Sequence, residues 1–143
     1  EFLHDNHVVY HDLKPENIMF DEKGHLYLID LGLAETGITQ SCSGSTSECG
    51  TLQYMAPEIF NKYNYGHGIA VDWWSYGIII YEMLTGLPPW FEDNNIDTIR
   101  CILNDPIPFP NLQTGMFNSE QMQQMMSNMQ FITMVLVMML LIV

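Results

Sequence analysis

Asp12, Lys14, Asn17 and Asp30 are the residues whose types and spacing point to chemistry. They sit in two short stretches, "YHDLKPEN" at 10–17 and "LIDLG" at 28–32. Transfer of a phosphoryl group to an alcohol needs a carboxylate that orients and deprotonates the hydroxyl. It also needs oxygen ligands for Mg²⁺ and a cation that offsets charge on the moving group. Asp12 supplies the carboxylate. Lys14 lies two residues on, so an extended segment sends both side chains the same way. Pro15 stiffens the loop, Asn17 offers a neutral carbonyl oxygen, and Gly32 frees the backbone after Asp30. Singly, each has a plainer reading: Asp12 as a turn acid, Asn17 as a cap, the Asp30 stretch as a loop start. In this order the set makes a magnesium-phosphate site.

The surrounding pattern says which elements hold these residues. "EFLHDN" reads as a helix end stopped at Asn6, and "HVVY" as a short strand. "IMF", "DEKG" and "HLYLID" predict a hairpin turning at Gly24. Residues 36–50 are small and polar, a long loop of the kind that carries function. "VDWWSYGIIIYEMLTG" predicts a helix buried on most sides, stopped by Gly86 and Pro88-Pro89. "NNIDTIRCIL" predicts an amphipathic helix ending before Pro106. Asn118-Ser119-Glu120 could cap a third, with Met122, Met125, Met126 and Met129 on one stripe.

Bulk composition narrows the partners. The 143 residues carry 17 Asp and Glu against 4 Lys and Arg, a net charge of −13. Phosphate-backbone binding needs clustered cations, so nucleic acid is not an expected partner. A basic partner is. With 48% hydrophobic residues and mean hydropathy +0.04, the chain can build a core. Cys42, Cys49 and Cys101 are three and form no C-x-x-C, which predicts reduced thiols in an intracellular, cytoplasmic protein. His4, His7 and His11 have helical spacing, but the strand-like "HVVY" between them would splay the rings, so zinc is not expected. Phe131–Val143 would span about 20 Å as a helix, short of the ~30 Å hydrocarbon core. It is read as a buried or divergent segment before a membrane contact.

Residues 10–17 resemble the protein-kinase catalytic loop H-R-D-L-x-x-x-N, and Asp30-Leu31-Gly32 resembles D-F-G. Ala56-Pro57-Glu58 resembles the A-P-E that closes the activation segment. "VDWWSYG" looks like the start of the central helix of the kinase C-lobe. Four motifs in order over residues 1 to about 110 resemble most the AGC group of serine/threonine kinases, with the ribosomal S6 kinase branch nearest. The resemblance implies a C-terminal lobe, mainly α-helical with a small β-hairpin. Residues 1–129 would be a partial kinase domain and 130–143 a divergent apolar tail.

Carried over by position, Asp12 would be the catalytic base and Lys14 would steady the γ-phosphate of ATP. Asn17 and Asp30 would hold Mg²⁺. Thr51 would brace the loop and mark serine/threonine specificity, and Asp72 would anchor the loop's backbone. Tyr10 and Leu31 would stack in the regulatory hydrophobic spine. Glu16 and Glu82 match the acids that hold a substrate arginine, a strong pair when bidentate. Glu82 could equally be a solvated helix acid. The activation-loop phosphosite falls at Ser47, with Thr46 as the alternative.

The pattern is also broken. The chain begins inside the family's helix before the catalytic loop, so an absent N-lobe and a fragment inactive alone are expected. A pseudokinase-like interaction module and a non-functional product of a truncated gene are the alternatives. Arg100 comes too early to match the late arginine that pairs with Glu58 in the family, which predicts a loosened lobe. His11 stands where the family has an arginine that receives the activation-loop phosphate, and Glu35 where a lysine is expected. Histidine lacks the planar fork that grips phosphate. Phosphorylation of Ser47 is therefore expected not to order residues 36–50. Strong hydrogen-exchange protection of that segment on phosphorylation would contradict this.

Overall fold

The computed structural model describes residues 1–40, 43–60 and 66–108. The expected methionine-striped helix and the apolar tail lie outside them. Helix α1 (Phe2–Asp5) is a single turn. Asn6 ends it, donating its Nδ2 to the Phe2 carbonyl at 2.8 Å. His7 takes a left-handed φ of 59° and turns the chain into β1 (Val8–Val9).

Strand β2 (Ile18–Phe20) and β3 (Leu26–Leu28) form the expected hairpin. They are antiparallel, with Ile18 opposite Leu28 and Phe20 opposite Leu26. Asp21 organises the turn. Its Oδ1 accepts the amides of Lys23 at 2.9 Å and His25 at 2.8 Å, and Gly24 adopts φ 84°. The Ile29 amide returns to the Asn17 carbonyl at 3.0 Å, tying the hairpin's two ends together.

A second ladder was not expected. Strand β4 (Glu35–Thr36) pairs antiparallel with β1, Val8 opposite Thr36 and Val9 opposite Glu35. The head of the polar 36–50 stretch is therefore strand, stitched to the entry of the 10–17 loop.

Helix α2 (Ala70–Thr85) ends at Gly86, whose φ of 92° is the left-handed cap that favours glycine. Helix α3 (Asn95–Asn104) starts on Asn94, whose Oδ1 accepts the Asp97 amide at 2.9 Å. Two apolar clusters share α2. Val71 packs with Val9, Ile38, Met55, Ala56 and Ile59. About two turns further on, Ile78 and Ile79 pack with Tyr54, Trp90, Cys101 and Ile102. Burial of α2 on most sides is not what the described residues provide. They cover the side carrying Val71, Asp72, Ser75, Ile78 and Ile79, while Trp73 stays 52% exposed. An all-round apolar pattern records what a helix can bury, and not what lies against it.

Below the hairpin, an apolar hollow of about 170 Å³ opens between Leu3, Leu13, Ile18, Leu28 and Trp73. Among the described residues no helix is long and apolar enough to cross a membrane. Because Ile79 is 4% exposed within the second cluster, Ile79→Ala should cost about 2–5 kcal/mol. Urea unfolding checks this, and an unchanged midpoint would contradict the core assignment.

Candidate active site

The 10–17 loop leaves β1 at the fully buried Val9 and is fixed by one carboxylate. Asp72, in the first turn of α2, accepts the Tyr10 amide on Oδ2 at 2.9 Å and the His11 amide on Oδ1 at 2.9 Å. His4 Nε2 meets Oδ2 at 2.7 Å. Held this way, His11 adopts a left-handed φ of 68°, a strained state for a residue with a Cβ. The turn delivers Asp12 to the loop's centre.

Three side chains converge on Asp12. Thr51 donates its hydroxyl to Oδ1 at 2.7 Å. Lys14 Nζ lies 2.8 Å from Oδ2 and also donates to Thr51 Oγ1 at 2.8 Å. Asn17, at the end of the 3₁₀ turn Pro15–Asn17, donates Nδ2 to Oδ2 at 3.0 Å and to the Asp12 carbonyl at 2.9 Å. Burial acts to raise the Asp12 carboxyl. The bonds from Lys14, Thr51 and Asn17 outweigh it and hold the group below its ordinary value.

Asp30 sits at φ 62° beyond β3, exposed, with Oδ1 accepting the Gly32 amide at 3.0 Å. Tyr10, 2% exposed, donates its hydroxyl to the Ile29 carbonyl. Leu31 is 58% exposed, and neither it nor Tyr10 belongs to the two apolar clusters of the described residues. The donor chemistry suits a hard cation: Asn17 spends its NH₂ on Asp12, leaving its carbonyl oxygen, and Asp30 adds carboxylate oxygen. Among the described residues no compact group of three His, Cys, Asp or Glu could hold a metal. Any Mg²⁺ here would therefore lean on the phosphates as well.

Glu16 and Glu82 come together around Tyr54, which the motifs did not single out. Tyr54 donates its hydroxyl to Glu82 Oε2 at 2.7 Å. Burial, the bond to Glu82 and the charges of Glu82 and Glu16 all push the phenol up. Glu82 is thus half-buried and hydrogen-bonded, and not a merely solvated acid.

His11 turns its ring toward the 35–50 segment. Its Nδ1 lies 3.1 Å from the Leu33 carbonyl, an acceptor only, so Nδ1 carries a proton. Its Nε2 meets His67 Nε2 at 3.0 Å. Burial, and then His11, push His67 below its ordinary value, against the pull of Glu35, Glu58 and Asp72, which keeps it neutral at pH 7. Glu35 Oε2 accepts hydroxyls from Ser45 at 2.5 Å and Ser47 at 3.2 Å. The Ser45 bond leads in holding the Glu35 carboxyl low. Thr46 is exposed. Glu58 is half-buried, and Arg100 is engaged with Asp97 at 3.7 Å on α3. His67 and Ser45 carried no signal in the sequence, since each acts only through contacts distant along the chain.

Asp12 yields a pH prediction. A carboxyl held low in the fold adds stability above its unfolded value near 3.8 and loses it as pH falls through the lower folded value. Its NMR titration should have a midpoint under 3.8, and Thr51→Ala should raise that midpoint. A wild-type midpoint at or above 3.8 would contradict the geometry.

The Protein kinase domain model matches residues 1–138. Protein kinase 2 of Dictyostelium discoideum is 46% identical over 110 residues, 77% of this chain and 22% of that protein. The human cAMP-dependent protein kinase catalytic subunit PRKX is 46% identical over 110 residues, 77% of this chain and 29% of that protein. Serine/threonine-protein kinase gad8 of Schizosaccharomyces pombe is 46% identical over 112 residues, 77% of this chain and 19% of that protein. The chain thus spans less than a third of the length of these relatives. By motif order, family match and these relatives, the chain belongs to the protein kinase domain family.

Proposed function

We propose that these residues are the C-terminal-lobe part of an AGC-group kinase that transfers the γ-phosphate of ATP to Ser or Thr of basic proteins. The observation that carries this reading is the clamp on Asp12 by Lys14, Thr51 and Asn17. An acid held ionised can accept a hydrogen bond from a substrate hydroxyl, orient its oxygen and take its proton as attack proceeds. Lys14 lies within reach of both Asp12 and Thr51, and its charge offsets that on the transferring group. Thr51 sets the spacing between the acid and the segment that presents the substrate. Asn17 and Asp30 would hold Mg²⁺, which when bound offsets charge on the phosphates. Glu16 and Glu82 support binding of a substrate arginine. Tyr54 already donates to Glu82 Oε2, so the guanidinium would share that carboxylate with the phenol.

The 143 residues contain no glycine-rich loop and no V-A-I-K lysine, and alone they are expected to bind Mg-ATP weakly. A saturable thermal shift with Mg-ATP would contradict that. In a natural full-length protein carrying these residues, an arginine-rich serine peptide should be phosphorylated faster than a neutral one. Asp12→Asn should lower kcat about 10²–10⁴-fold with KM little changed. Equal rates for wild type and Asp12→Asn would overturn the proposal.

A further inference from the structure

His11 and His67 are 4% and 3% exposed, and their Nε2 atoms lie 3.0 Å apart. The rings meet edge to face, at an interplanar angle of 84°. Two imidazole nitrogens at that distance need one hydrogen between them. With none, two lone pairs face each other; with two, the N–H groups collide. His67 presents its ring from a fixed backbone, which pairs both ways with Ser45 at 2.9 and 2.8 Å. Gly66, at φ 93°, abuts the Ser45 carbonyl so closely that a Cβ would collide with it. His11 is held at three points: its amide by Asp72 Oδ1, its Nδ1 by the Leu33 carbonyl and its Nε2 by His67. These holds keep a residue with a Cβ at φ 68°, and the next residue is Asp12.

We infer that His67 is a positioning residue whose ring shares one hydrogen with His11 Nε2 to hold the turn that aims Asp12, and that a second positive charge on the pair releases this hold. The chemistry that the hold serves rests on the kinase reading. The pair can be neutral or carry one charge with the shared hydrogen in place. A second charge, taken as a proton from solvent, makes both rings imidazolium and puts a hydrogen on each Nε2. The contact then opens, because like charges this close in a buried place repel strongly. Glu35 faces the pair from β4, Glu58 from the turn Pro57–Phe60 and Asp72 from α2. These acids favour the first charge. Burial and then His11 oppose a charge on His67 and set its value below the ordinary 6.5. The Cys49 thiol, raised by burial and then by Glu35 and Asp12, stays protonated and adds no charge. A base held low in the fold supports the fold fully above 6.5, and that support is lost as pH falls through the lower folded value. The hold is therefore intact at pH 7 and released in acid.

The test is NMR on the whole 143-residue chain with ¹⁵N-labelled histidine. At pH 7 a coupling through the hydrogen bond between the two Nε2 nuclei is expected, and its absence overturns the shared hydrogen. On acidification the coupling should vanish at a His67 midpoint below 6.5. Hydrogen-exchange protection of the His11 amide, corrected for intrinsic rate, should fall about tenfold or more at the same midpoint, with Ile78 and Ile79 in α2 unchanged. In His67→Gln, whose amide keeps an N–H donor and does not titrate, that loss should be under about threefold. A midpoint at or above 6.5, level protection in the wild type, or an equal loss in His67→Gln overturns the inference. If acid also strips α2 of protection, the comparison at pH 7 decides. There His67→Phe, which fills the space without a nitrogen, should lower His11 protection about tenfold, and His67→Gln should keep most of it. Equal protection in His67→Phe and wild type overturns the inference. In a natural full-length protein carrying these residues, the acid limb of kcat should share the His67 midpoint and move to lower pH in His67→Gln. An unmoved limb overturns the positioning role. The NMR and exchange arms need no nucleotide, so the pair can fail while the Asp12→Asn assay stands, and the reverse.

Discussion

The carboxylate of Asp72 carries two backbone amides and an imidazole at once. Tyr10 and His11 are buried, and their N–H groups would otherwise lack partners at a cost of about 1–3 kcal/mol each. Asp72 meets both, one per oxygen, from a helix that is itself fixed in two apolar clusters. The left-handed turn at His11 survives because its amide and ring are both held. Everything chemical lies downstream of that turn, in the aim of Asp12 and in the reach of Lys14 and Asn17.

The active-site charges are balanced locally even though the chain is strongly acidic. Asp12 takes one of only four Lys and Arg side chains. Thr51 and Asn17 share the remaining lone pairs, so the acid is neither left bare nor neutralised. Among the described residues neither Glu16 nor Glu82 forms an ion pair, and Glu82 is held by the Tyr54 phenol instead.

The sequence was legible where the pattern is local. The hairpin followed from alternating short runs around Gly24, and α2 and α3 from their period, caps and prolines. The chemical residues were legible because they crowd into one loop, and Asp72 because the motif around it resembles a family. The β1–β4 ladder was not legible: two residues on each side leave no periodic signature, and pairing links Val9 to Glu35 across the whole hairpin. The histidine pair was half legible. His11 stood out as a departure from a motif, yet its partner His67 lies 56 positions away in a stretch with no pattern of its own. Leu31 has a position that resembles a stacked residue, while its exposure of 58% depends on neighbours that local pattern does not supply.

The distance between Asp72 and its amides also sets an order of events. The contacts bridge 62 and 61 positions, and closing so long a loop is slow compared with forming a hairpin turn. The hairpin, whose turn is organised by Asp21 alone, can form early from its own residues. The catalytic loop cannot settle until α2 exists and has docked. During synthesis at about 5–20 residues per second, Tyr10 and His11 leave the ribosome several seconds before their acceptor is made. The geometry around Asp12 is therefore a late product of folding, and it is exposed to loss whenever α2 loosens, even if the hairpin beside it stays intact.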